Sequence, residues 1–227
     1  MADTYVDTRD RLEDYFDRTA VRAWERLTSD APVSRIRQTV REGRDRMRAL
    51  ILDRLPADLG GARVLDAGCG AGQMAAALAE RGADVVATDI SPRLLGVARD
   101  RTPVPLGHRI DFVCGDMLDP SLGSFDYVIA MDSLIHYQPR HAAEVLAGLA
   151  ERTKAAIVFT IAPRTLPLAV MHFVGQVFPR GDRAPAIVPV AEAALRRELA
   201  RVCGHRLGYV GRVARGFYIS QAMELRP

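Results

Sequence analysis

The sequence predicts an α/β fold, a mostly parallel sheet of seven strands with helices on both faces. Three observations carry that expectation. Short apolar runs alternate with helix-spaced segments from residue 62 to residue 162. The first run, Val64-Leu65-Asp66-Ala67, turns into a glycine loop, Gly68-Cys69-Gly70-Ala71-Gly72. The second and third runs end in acids, Asp89 and Asp116.

Residues 3–28 read as an amphipathic helix through Val6, Leu12, Tyr15, Phe16, Val21, Trp24 and Leu27. Ser29-Asp30-Ala31-Pro32 breaks it. A second helical pattern, Val33 to Leu55, uses Ile36, Val40, Met47, Leu50 and Ile51, and Pro56 stops it. Strands are then expected at 62–67, 84–88, 109–114, 125–131 and 155–162. Helices are expected between them at 74–81, 92–100 and 141–152. After Pro163 the alternation lapses. Thr165 to Phe178 is apolar but too short to span a bilayer. A helix at 190–202 and two closing strands, 206–212 and 216–225, complete the chain. The division expected is a helical arm or lid at 1–55 and a core domain at 56–227, with a cap inserted at 163–189.

Composition narrows the function. The chain has 227 residues, 48% hydrophobic and 26% charged, which argues against disorder and coiled coil. A net charge of +3 is too small to imply nucleic acid, but it is unevenly spread. Residues 51–149 carry a net −5 and residues 150–227 a net +7. That split fits a core holding acidic ligand-binding groups and a surface meeting something anionic, or plain solvated helix faces. Cys69, Cys114 and Cys203 are widely spaced, with no pairing at metal-ligand spacing. They suggest a reducing cytoplasm, and no metal site is expected. Nothing reads as a signal peptide or a membrane span.

The glycine loop carries the chemistry. Glycines at a strand-to-helix turn let the backbone approach a ligand closely. The helix N-terminus adds amide donors. The frame is G-x-G-x-G, because Gln73 stands where a dinucleotide fingerprint would place its third glycine. Asp89, 17 residues beyond Gly72, can accept both hydrogen bonds of a ribose diol. Asp116 can accept from an adenine amino group, and Met117 can cover the ring. Each acid alone is more often a turn residue. Together, each at a strand's carboxyl end, they mark the edge where open α/β sheets bind ligands.

The fourth strand exits through Asp132-Ser133-Leu134-Ile135-His136-Tyr137, the expected mouth of the site. His136 is the candidate proton acceptor or carboxylate partner, with a structural histidine as the alternative. His172, alone on an apolar segment, reads as packed, with axial ligation of a metalloporphyrin as the other reading. In the arm, Tyr15 and Phe16 among Arg11, Arg18 and Arg22 offer a phenol and cations to a substrate. Arg41 and Arg44 are placed to reach a carboxylate.

This constellation resembles the class I S-adenosylmethionine-dependent methyltransferases, over about residues 60–162 and the hairpin 206–225. The resemblance implies a Rossmann-like fold and S-adenosylmethionine as cofactor. It gives the methionine end to Gly68, Gly70 and Gly72, the ribose to Asp89 and Ile90, and adenine to Asp116 and Met117. Asp66 supports the loop, and Met131 lies near the sulfonium. The arm (Asp14-Tyr15-Phe16-Asp17-Arg18-Thr19, then Gln38-Thr39-Val40-Arg41-Glu42-Gly43-Arg44) is similar to that of the magnesium-protoporphyrin IX O-methyltransferases. So are Phe159-Thr160-Ile161-Ala162-Pro163 and the ending Arg215-Gly216-Phe217-Tyr218-Ile219-Ser220. That similarity implies methyl esterification of a propionate of magnesium protoporphyrin IX in bacteriochlorophyll synthesis, with Tyr15 and His136 orienting the reacting oxygen. It also implies contact with the porphyrin-carrying magnesium chelatase, and a cytoplasmic protein peripheral to the photosynthetic membrane. The competing readings are a methyltransferase for another small acid, phenol or quinone precursor, a nicotinamide-dependent reductase, and a porphyrin carrier without activity.

Overall fold

The computed structural model describes residues 4–17, 34–164 and 187–227. The element order follows the alternation of the sequence: α1 (Tyr5–Tyr15), α2 (Arg35–Leu52), β1 (Arg63–Ala67), α3 (Gln73–Glu80), β2 (Asp84–Asp89), α4 (Pro92–Arg101), β3 (Ile110–Cys114), β4 (Phe125–Ala130), α5 (Pro139–Ala150), β5 (Thr153–Ile161), α6 (Glu192–Val202), β6 (Arg206–Arg215) and β7 (Tyr218–Arg226). One seven-stranded sheet runs β3-β2-β1-β4-β5-β7-β6. Its pairs are parallel from β3 to β5, and β7 is antiparallel to both neighbours. The expected mostly parallel α/β fold is therefore present. The chain winds outward from β1 to β3, then restarts at β4 on the other side. That reversal leaves a crevice at the carboxyl ends of β1 and β4.

Adjacent strand residues face opposite sides of the sheet, and two apolar layers result. Leu65, Val128, Phe159 and Met223 pack with Leu146, Leu149, Leu195 and Leu199 of α5 and α6. Val64, Ile129, Val158 and Ala222 pack with Met74, Leu78 and Leu95 of α3 and α4. α5 starts two residues before the expected position because Pro139 serves at its first turn, where its missing N–H costs nothing.

The second layer also takes up α2. Gly43, Met47 and Ile51, one turn apart, are its buried stripe, and Met47 and Ile51 are fully covered. Each such side chain contributes about 1.5–3 kcal/mol through burial. A Cβ on Gly43 would lie 2.5 Å from the Tyr218 ring, so only glycine allows this approach to β7. The arm expected at 1–55 thus has two natures. α2 is built into the core, and α1 lies over the carboxyl edge.

The expected continuation of the first helix through Val21, Trp24 and Leu27, with Arg18 and Arg22, lies outside the described residues. So does most of the expected cap, including His172. Its two ends meet: Val190 N–H donates to Ala162 O at 2.8 Å, and Arg164 N–H to Val190 O at 3.1 Å. Val188 N–H donates to Ile135 O at 2.8 Å, which brings the returning end beside the β4 exit.

Candidate active site

The crevice at the carboxyl edge is a cleft open to one side. Asp66, Gly68, Gly70, Asp89, Ile90, Met117, Met131 and His136 all line it, from four separate strand ends. The topology brings these sequence-distant candidates together.

The loop geometry has clear causes. Gly68 and Gly70 have φ of 82° and 53°, the left-handed region that glycine adopts without strain. A side chain on Gly68 would collide with Ser133, 2.5 Å away. In front of Gly70 there is open space, where a ligand can reach the backbone. Asp89 Oδ2 accepts from Gly70 N–H at 2.8 Å and Oδ1 from Ser91 N–H at 2.9 Å. These bonds aim the carboxylate along the loop, and each oxygen keeps a lone pair for a further donor. Burial raises the Asp89 pKa, and the amides of Ser91, Gly70 and Ile90 offset part of that.

Asp66 is 1% exposed, and its Oδ2 meets no hydrogen-bond partner among the described residues. Burial and then the charge of Asp89 push its pKa up to about 7, against the pull of the Ala75 amide and of Arg44. A buried acceptor aimed at a cleft is suited to a cationic donor.

Three expected site residues, Gly72, Tyr15 and Asp116, are not on the cleft lining. Gly72 caps α3, and a Cβ there would meet the Ala98 Cβ at 2.9 Å, so it serves helix packing. Tyr15 does not line the cleft, and its ring stands edge-on to Phe16, 5.3 Å away. Phe16 does line it and faces the His136 ring at 6.0 Å and 63°. His136 belongs to a short turn, Leu134–His136, pinned by the buried Leu134.

The sequence left Tyr5, Arg9 and Arg48 unnoticed, and with them the partners of Asp116 and Asp132. Tyr5, Arg9, Leu12 and Phe16 form one face of α1 and close the cleft from above. Asp116 contacts that helix: its Oδ1 accepts from the Tyr5 hydroxyl at 2.7 Å and its Oδ2 from Arg9 Nη1 at 3.0 Å. Asp132 has a φ of 58°, strained for a residue with a side chain. Its carboxylate accepts from Arg44 Nη1 at 2.5 Å, from the Tyr218 hydroxyl at 3.1 and 3.2 Å, and from Thr160 Oγ1 at 3.2 Å. These bonds tie α2, β5 and β7 to the residue between Met131 and Ser133. Arg44 and Arg48 also line the cleft, the first paired with Asp132 and the second with Asp45. The 5-9-12-16 spacing was visible in the sequence, but no local pattern announced the partners of Asp132.

The sheet order, the glycine turn and the acid ending β2 define a class I S-adenosylmethionine-dependent methyltransferase. Comparison with known proteins specifies the branch. Residues 64–156 match the methyltransferase domain family, and residues 130–227 match the magnesium-protoporphyrin IX methyltransferase C-terminus family. The chain is 54% identical to a magnesium-protoporphyrin O-methyltransferase of Rhodobacter capsulatus, over 100% of both chains. It is 30% identical to the Synechocystis enzyme of that name, over 99% of this chain and 98% of that one. The crystal structure of magnesium protoporphyrin IX methyltransferase from Synechocystis with bound S-adenosylhomocysteine superimposes with a TM-score of 0.81. That match covers 96% of this chain and 99% of that one at 29% identity. The chain belongs to the magnesium-protoporphyrin IX O-methyltransferase family.

Proposed function

We propose that the chain transfers the methyl group of S-adenosylmethionine to a propionate carboxylate of magnesium protoporphyrin IX, giving the monomethyl ester and S-adenosylhomocysteine. The observation that carries this is the 54% identity over the full length of both chains, arm and tail included. The residues present fit the cofactor. Gly68 and Gly70 allow close approach, Asp89 meets the ribose diol, and the Asp66 Oδ2 takes the methionine ammonium. Ile90, Met117 and Met131 supply apolar contact. When bound, S-adenosylmethionine supplies an electrophilic methyl group on a sulfonium sulfur.

A propionate is already ionised at neutral pH, so the chain needs no strong base. Its task is placement. His136 lies at the β4 exit within the cleft and is assigned to hold the reacting oxygen, with Phe16 against its ring. Tyr15, expected to share the orienting role, stands edge-on to Phe16 and is assigned a lesser part. His136→Ala is expected to lower kcat about tenfold or more with cofactor affinity unchanged, and Tyr15→Phe to change it about twofold. Near-wild-type turnover of His136→Ala removes the orienting role. Comparing kcat/KM for magnesium protoporphyrin against phenolic and quinone-precursor acceptors tests the substrate assignment, and a higher value for any of those acceptors overturns it.

The reading extends to location. No described helix is long and apolar enough to cross a membrane. Ile36 and Phe217 are 54% and 50% exposed, and Arg35 and Arg37 are exposed as well. These support peripheral contact with an anionic membrane face, where substrate is received from the porphyrin-carrying magnesium chelatase subunit. Loss of cosedimentation with anionic vesicles in Phe217→Ser tests the membrane contact, and binding unchanged by that substitution argues against it.

A further inference from the structure

Asp116 stands where an adenine contact was expected, but its hydrogen bonds go to α1. Oδ1 accepts from the Tyr5 hydroxyl at 2.7 Å and from the Leu118 amide at 2.8 Å, and Oδ2 accepts from Arg9 Nη1 at 3.0 Å. Asp116 itself is absent from the cleft lining, while Tyr5 and Arg9 are part of it. The chain builds this arrangement deliberately. Thr4 starts α1 with a reciprocal cap: its Oγ1 accepts from Asp7 N–H at 3.1 Å, and its N–H donates to Asp7 Oδ2 at 2.9 Å. That cap places Tyr5 in the first turn, with Arg9 one turn later on the same face.

The rest of the helix is fastened too. The Tyr5 ring stacks on Tyr137, centroids 5.2 Å apart at 25°. Leu12 is 4% exposed in the core. At the far end Asp17 Oδ1 accepts from Ser91 Oγ and Arg93 N–H, both at 3.3 Å. Tyr5 and Arg9 stand on the cleft wall, so lifting the near end of α1 widens the cleft. Lifting that end breaks two charge-assisted bonds at one carboxylate.

We propose that Asp116 is the catch that holds α1 closed over the cofactor cleft through Tyr5 and Arg9, and that this catch sets the rate of cofactor and product exchange. On this assignment Asp116 is a positioning residue and does not read adenine. It rests on the methyltransferase reading above for the identity of the ligand. Lid opening commonly limits turnover in enzymes that enclose their substrate. Bonds to a charged group are strong enough for their loss to be seen in a dissociation rate.

The test separates a catch from a base contact. Dissociation of radiolabelled S-adenosylhomocysteine is followed after an excess of unlabelled ligand, for wild type, Asp116→Asn, Tyr5→Phe, Arg9→Ala and the double variant Arg9→Ala/Asp116→Asn. In parallel, the affinity ratio of S-adenosylhomocysteine to S-inosylhomocysteine is measured, which reports the exocyclic amino group alone. A catch predicts dissociation about tenfold faster in Asp116→Asn, and several-fold faster in Tyr5→Phe and Arg9→Ala. It predicts little further increase in the double variant, because both changes cut the same bond. It also predicts a base ratio within about twofold of wild type throughout. Tyr5→Phe preserves packing, so it remains informative if Asp116→Asn folds poorly. A base ratio that collapses in Asp116→Asn overturns the proposal, as do unchanged dissociation rates in the Tyr5 and Arg9 variants. Failure of the wild-type protein to bind S-adenosylhomocysteine would instead overturn the parent reading.

Discussion

If Asp66 takes the methionine ammonium as proposed, cofactor binding should depend on pH. Its carboxyl is 1% exposed, and burial together with Asp89 raises its pKa from 3.8 to about 7. The methionine ammonium needs the ionised form, so apparent affinity scales with the ionised fraction. With a pKa of about 7, that fraction is about one tenth near pH 6 and about nine tenths near pH 8. S-adenosylhomocysteine should therefore bind about tenfold more weakly at the lower pH, releasing nearly one proton per molecule bound there. The sign for stability is opposite in the unliganded protein. The folded state holds the Asp66 proton above the pH at which the unfolded chain loses it, so this group's contribution falls as pH rises from about 4 to about 7. Calorimetry in buffers of different ionisation enthalpy reads the proton release directly. Asp66→Asn should flatten most of the pH dependence, leaving the share of Asp89, which is also raised by burial. A wild-type affinity constant across this range refutes the reasoning, and so does a slope that survives in Asp66→Asn undiminished.

Three further outcomes are expected. Met47→Ala should destabilise the fold by about 2–5 kcal/mol, read as a lower urea midpoint, because Met47 is fully buried beneath the sheet. Arg44→Ala should cost about 3–5 kcal/mol, because it leaves the mostly buried Asp132 carboxylate with hydroxyl donors only. Replacing both partners by apolar residues should cost less than the single change, and equilibrium unfolding distinguishes the two. Gly68→Ala should weaken S-adenosylhomocysteine binding more than about tenfold, because a left-handed φ and a clash with Ser133 shift the loop, and calorimetry checks it.

What could be read from the sequence was local. The strand-to-glycine turn at Val64 to Gly72 and the acid ending β2 are short-range patterns with one physical meaning each. Parallel pairing then brings strand ends to one edge, which is why Asp66, Asp89, Met131 and His136 meet in a single cleft. Partner choice over long separations was not legible. Arg44 and Tyr218 lie 88 and 86 residues from the Asp132 they bind. Asp116 was placed correctly at the end of β3, but its orientation depends on Tyr5 and Arg9, 111 and 107 residues away. The helical pattern at 33–55 reads as part of the lid because the alternating strand–helix core has no place for it. Its Gly43-Met47-Ile51 stripe is narrow and fits β7 through the absence of a side chain. Tyr15 and Phe16 are neighbours in sequence, but one helical face selects Tyr5, Arg9, Leu12 and Phe16 for the cleft.

The most direct test of the central claim is a single-turnover incubation of the purified chain with methyl-labelled S-adenosylmethionine and magnesium protoporphyrin. The account predicts one labelled methyl group per porphyrin, held as an ester that mild alkali releases as methanol. A porphyrin that gains no label, or a label that resists alkali, contradicts it.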